Sequence, residues 1–177
     1  MKKRRLSGLF QVFIIISAYL LIFSGCKSDE EIKCEPDNYE VNNTLDKASS
    51  LGSVKEESKT FKARISEEGD LDFYSITAEE ADHIGTPFSS QYFRITFDLL
   101  LPSDKDYDLY IYDENGSVAG QSTERNKNEE IVELDWEGMI GVDDSRSFSI
   151  EVRPYSGAWD CSDYTLKVTM SYSEAPW

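Results

Sequence analysis

Two short segments carry the residue types from which a cation site is built: Glu40-Val41-Asn42-Asn43 and Asp70-Leu71-Asp72. Carboxylate and amide oxygens are hard ligands, and calcium takes roughly six to eight of them in flexible geometry. Glu40, Asn42, Asn43, Asp70 and Asp72 therefore form a calcium site if the two segments meet. The competing reading is structural: Asn42 and Asn43 cap and turn the backbone while Asp72 accepts hydrogen bonds from it. A second acidic alternation, Asp104, Asp106 and Asp108, lies along a strand end and reads as protection of a sheet edge. Tyr110, Tyr112, Tyr155 and Trp159 either form an aromatic surface for a glycan or protein strand or fill a core, and core filling is the more common use of such residues.

Catalysis finds little support in the residue types. The single histidine, His83, sits in a polar stretch, and the chain has no Ser-His-Asp set, His-Glu motif, Gly-rich phosphate loop or Cys-x-x-Cys. The expectation is a protein that is not an enzyme, with a small hydrolase using acidic residues as the alternative from another class. Charge narrows the partners. The formal net charge is -16, and Lys2, Lys3, Arg4 and Arg5 are all at the amino end, so the rest of the chain is more acidic still. Such a surface repels nucleic acid and leaves divalent cations and basic protein partners open.

The elements that must position these residues are strands. Tyr107, Leu109 and Ile111 alternate with Asp108, Tyr110 and Tyr112, and Asp113-Glu114-Asn115-Gly116 then turns the chain, since Asn-Gly tolerates positive φ. Phe93, Ile95, Phe97 and Leu99 give a second clear alternation ended by Pro102, and Tyr164 to Tyr172 a third. Further strands are expected at 59–65, 72–77, 117–122, 130–134 and 147–153. The first two of these are expected to pair as a hairpin through Glu67-Glu68-Gly69-Asp70. Residues 44–51 read as a helical turn or extended crossing ended by Gly52, and 124–130 as charged and exposed. With hydrophobic residues at 40% a packed interior is affordable, so the fold expected is all-β: an antiparallel, jelly-roll-like β-sandwich of about eight strands.

The amino end reads as a targeting segment. A basic start is followed by an apolar run from Leu9 to Phe23, shorter than the ~20 residues of a spanning helix. Phe23-Ser24-Gly25-Cys26 resembles the lipobox of bacterial lipoproteins, in which the cysteine thiol is lipidated before cleavage. The resemblance implies a lipoprotein signal peptide over 1–25, lipidated Cys26 with a polar tether over 26–34, and a domain over 35–177. Such a protein is anchored to a membrane through its lipid and lies in the cell envelope, outside the cytoplasm. Lys27 to Glu31, KSDEE, is similar to acidic tracts that send lipoproteins to the outer cell face. Cys34 and Cys161 remain as an even pair in an oxidising compartment, which suggests a disulfide, with two free thiols as the alternative.

Four segments resemble the bacterial pre-peptidase C-terminal domain family, a β-sandwich module, over about Glu40 to Met170. They are Glu40-Val41-Asn42-Asn43-Thr44 with Ala48 and Leu51, Asp70-Leu71-Asp72-Phe73-Tyr74, the aspartate-rich strand from Asp106 to Asp113, and Tyr164 to Val168. Asp144-Ser145-Arg146-Ser147 departs from the glycine-threonine-tyrosine lead-in common in the family. The related collagen-binding modules of clostridial collagenases hold calcium with the opening Glu-x-Asn segment and the following acidic strand. By that resemblance the ligands are Glu40, Asn42, Asn43 and Asp72, with Asn38 as an extra carbonyl donor and Asp70 as a weaker one. The resemblance implies a non-catalytic binding or accessory module for an extracellular protein or glycan ligand. A structural or assembly lipoprotein of the envelope is the alternative.

Overall fold

The structure, a computed structural model, describes residues 34–81, 86, 88–157, 159–174 and 176. The targeting segment, Cys26 and His83 lie outside the described residues. Among those described, nine strands form: β1 (Ser49–Val54), β2 (Ser58–Ala63), β3 (Asp72–Ala78), β4 (Ser90–Leu100), β5 (Tyr107–Tyr112), β6 (Val118–Ser122), β7 (Glu129–Met139), β8 (Arg146–Pro154) and β9 (Tyr164–Ser173). They make two sheets, ordered β1-β3-β8-β5-β6 and β2-β9-β4-β7. All pairings are antiparallel except β1 with β3, which is parallel.

Period-two alternation builds the interior. Phe93, Ile95, Phe97 and Leu99 of β4 face inward with no exposure, against Ile150 and Val152 of β8 and Leu109 and Ile111 of β5 in the same core. Neighbouring residues Arg94, Thr96 and Asp98 point to the outer face. Phe93 stacks on its cross-strand neighbour Trp136 with centroids 5.2 Å apart, and Phe97 meets Phe148 of the other sheet edge-on at 5.8 Å. The Asn115-Gly116 turn joins β5 and β6 as a hairpin, with Leu109 opposite Ser122.

Several expectations are corrected. β2 and β3 do not pair with each other: β2 pairs with β9, and β3 with β8 and β1, so Glu67 to Asp70 carries the chain from one sheet to the other. A turn's chemistry specifies reversal, not which sheet receives the next strand, and Ile65 drops into the core between the two. Gly52 does not end its segment. It lies within β1 at φ +78°, where the pairing with β3 shifts between Ser50 and Ser53. β7 extends past Leu134 to Met139, because Gly138 leaves room for the Asp144 carboxylate, which accepts the Met139 N–H at 2.7 Å.

Glu130, expected on an exposed stretch, is buried, and its carboxylate accepts from Ser122 Oγ and the Glu124 N–H. Asp106 and Asp108 protect no edge, since β5 lies between β8 and β6. They hold the Arg125 guanidinium instead, at 3.5 and 2.5 Å. Of the four aromatics, Trp159 packs against the core, while Tyr110, Tyr112 and Tyr155 lie outside it. Arg153 covers Tyr110 at 4.7 Å, Arg125 covers Tyr155 at 3.6 Å, and the Tyr112 hydroxyl donates to Glu151 at 2.5 Å.

Candidate functional site

One end of the sandwich gathers the starts of β3, β5 and β9 with the Cys34–Cys161 disulfide, whose Cα atoms are 5.2 Å apart and 127 positions apart in sequence. The segment following Cys34 is fastened there by Asp37, whose two oxygens accept the N–H groups of Tyr39 and Arg64, each at 2.8 Å. Tyr39 then sets its ring edge-on to Tyr74, with centroids 5.4 Å apart. The Asn42 carbonyl accepts the Phe73 N–H at 2.9 Å, bringing this segment to the start of β3.

These ties bring the two acidic segments together. Glu40, Asp70 and Asp72 each offer a carboxylate oxygen, and the three oxygens lie within 4.8 Å of one another. Asp70 is oriented by Ser66, whose N–H and hydroxyl donate to Oδ2 at 2.7 and 3.0 Å. Asp72 is oriented by Tyr164, whose hydroxyl donates to Oδ2 at 2.5 Å. That proton is Tyr164's only one, so Tyr74 is the donor in the 2.6 Å bond between the two tyrosine hydroxyls. Glu40 Oε2 accepts the Asn42 N–H at 3.3 Å.

The opposite oxygens are left bare. Glu40 Oε1, Asp72 Oδ1 and the Asn42 carboxamide are buried without a hydrogen-bond partner. One heavy atom of the Asn43 carboxamide lies 3.2 Å from Glu40 Oε2 and 3.1 Å from Asp70 Oδ1. As nitrogen it donates to both carboxylates. As oxygen it adds to a cluster that needs a cation to hold it together.

Electrostatics describe the same strain. Burial, reinforced by the charges of Asp70, Asp37 and Glu40, pushes the Asp72 carboxyl up to about 8 against the opposing Tyr164 hydrogen bond. Glu40 is raised too, first by burial and then by Asp70. A cation among these oxygens would remove both penalties.

Of the sequence-derived ligands, the structure groups Glu40, Asn43, Asp70 and Asp72. Asn42 is wholly buried beside them in the chain, and Asn38 is exposed in the preceding turn. Asp37 and Tyr164 escaped the sequence reading. Asp37 carried a local signal, the two-residue spacing to Tyr39 of a side-chain-capped turn. Tyr164 carried none, because its partner Asp72 lies 92 residues away.

Fold and site together define a two-sheet β-sandwich with a carboxylate and carboxamide cluster at its disulfide end. No family model matches the sequence, and no curated protein matches it. Among solved structures the chain is similar to the pre-peptidase C-terminal domain of a collagenase from Bacillus anthracis, at 14% identity and a TM-score of 0.40, over 70% of this chain and 96% of that domain. It is also similar to part of the insecticidal delta-endotoxin Cry8Ea1 from Bacillus thuringiensis, at 14% identity and a TM-score of 0.33, over 59% of this chain and 20% of that one.

Proposed function

We propose that this chain is a lipid-anchored, extracytoplasmic, non-catalytic binding or accessory module, held to its membrane through Cys26, whose sandwich is fastened by calcium and displayed to a protein or glycan ligand. The observation that carries the calcium reading is the set of buried, unpartnered oxygens on Glu40 and Asp72 within reach of Asp70. Glu40, Asp70 and Asp72 would hold the ion with the Asn43 carboxamide, a donor set of hard oxygens that suits calcium. Bound there, calcium supplies positive charge to three crowded carboxylates and cross-links the Asp37–Asn43 segment to β3. The residues act as a clamp on the start of the domain, not as a reaction centre.

Thermal melting of the purified protein with calcium and with chelator tests this reading. Calcium that binds only the folded state raises the melting temperature, and chelator reverses the rise. Identical curves under both conditions would remove the metal from the proposal and leave Asn42, Asn43 and Asp72 as turn and capping residues.

A further inference from the structure

Both ends of the sandwich carry carboxylates that no described lysine or arginine pairs, buried as Glu40 and Asp72 at the disulfide end and set around a cleft at the other. At the disulfide end the cations are paired: Arg64 with Asp163 at 2.8 Å, Lys105 with Asp160 at 3.1 Å, and Arg153 with Glu151 at 2.6 Å. At the far end, around the β5–β6 turn and the β7–β8 connection, a cleft of about 540 Å³ opens between the sheets. Its rim carries Asp113, Glu114, Asp143 and Asp144, which accept backbone N–H groups and pair with no lysine or arginine among the described residues. Its floor is apolar, formed by Leu134, Trp136 and Phe148.

Two more observations say what such a cleft takes. The first is Arg146, whose guanidinium lies 5.2 Å from the centre of the Trp136 ring, so a cation from this chain already sits over the floor. The second is the cleft's walls. β6 and β7 are the outermost strands of their sheets, each paired on one side only, and both contribute to the lining. They approach closely where Gly120 abuts Val132 and Leu134. Edge strands offer unused backbone donors and acceptors to an extended chain.

We propose that this cleft binds an extended, basic polypeptide segment of a partner protein, its lysine or arginine side chains meeting the rim carboxylates and its apolar side chains the Trp136 floor. The proposal deepens the reading of this chain as a binding module and rests on it. It lies apart from the calcium cluster, at the other end of the strands.

Fluorescence anisotropy with the full chain in detergent and a labelled eight-residue peptide alternating lysine and valine tests it, beside a peptide alternating glutamate and valine. The lysine peptide is expected to bind, with affinity falling as salt rises, and the glutamate peptide is not. Glu114→Gln combined with Asp143→Asn weakens binding by about tenfold, at roughly threefold for each carboxylate neutralised. Glu129→Gln combined with Glu133→Gln, the same charge change on β7 outside the cleft lining, leaves binding within about twofold. Arg146→Gln frees the indole face and strengthens binding by about threefold. Equal losses in the two double variants would reduce the effect to the acidity of the whole surface and overturn the proposal, as would absence of binding by the lysine peptide or weaker binding by Arg146→Gln. Calcium-dependent melting of the same variants reports folding and the metal site independently, so failure at the cleft is distinguishable from failure of the calcium reading.

Discussion

The Tyr164 hydroxyl donates to Asp72 Oδ2 at 2.5 Å, joining the first residue of β9 to the first residue of β3 across the two sheets. The bond fixes one oxygen of Asp72 and leaves the other bare among the carboxylates of Glu40 and Asp70. Tyr164→Phe keeps the ring and deletes the donor. It is expected to destabilise the protein by about 1–3 kcal/mol, the range for leaving a buried polar group unsatisfied, as read from urea unfolding.

Asp72 also predicts a pH dependence. Its folded pKa of about 8 lies above the unfolded value of 3.8, so between these limits the folded protein holds a proton that the unfolded chain releases. The resulting stability is fully present below the lower value and is lost as pH rises through the upper one. In chelator, melting temperature therefore falls between pH 4 and 8 on account of this group. Asp72→Asn removes that contribution to the slope. Saturating calcium, which selects the ionised carboxylate, opposes it.

Calcium itself gives a separable result. At an ion concentration ~100 times the dissociation constant the gain is ~2.7 kcal/mol, a clear shift in a melting curve. Glu40→Ala and Asp72→Ala abolish the calcium-dependent shift. Asp104→Ala, in the turn ahead of β5, keeps it. Loss of the shift in all three variants alike would contradict the assigned ligands.

Arg125 holds Asp108, which is 6% exposed, and stacks on Tyr155. Arg125→Met leaves the buried Asp108 carboxylate without its cation and is expected to lower the denaturation midpoint measurably. Lys127→Ala, which breaks an exposed pair with Glu124, leaves stability almost unchanged. Chemical denaturation of both variants checks the contrast.

The proposed anchor and the disulfide are tested on the cysteines. Cys26→Ser is expected to abolish incorporation of labelled fatty acid and release the protein from the membrane fraction. Retained label in that variant would overturn the lipid assignment. Reduction of Cys34–Cys161 is expected to lower stability by roughly 4–5 kcal/mol if the bond acts by restricting the unfolded chain. Melting with and without reductant measures it.

Strands with one apolar face were legible because burial imposes a period of two: β4, β5 and β9 have the inward residues that their alternation indicated. The β5–β6 hairpin was legible because Asn115-Gly116 is a local device. Partnership between distant strands was not. Nothing near Glu67 says that β2 will join β9, and nothing near Asp72 names Tyr164. Glu130 shows the complementary limit, since a carboxylate reads as exposed until the hydroxyl and N–H that satisfy it are brought alongside. At the site, residue types pointed to Glu40, Asn43, Asp70 and Asp72, but their convergence depends on Asp37 and the Asn42–Phe73 bond, which are products of the folded chain.

The position of β9 constrains the order in which the molecule is assembled. It lies between β2 and β4, with Ser58 opposite Thr169. A ribosome delivers β2 more than a hundred residues before its neighbour. Until β9 arrives, β2 has no partner in its sheet and β4 keeps one edge unpaired. Completion of that sheet therefore waits for β9, although β4 and β7 can pair before it, and pairing at such separation is intrinsically slow.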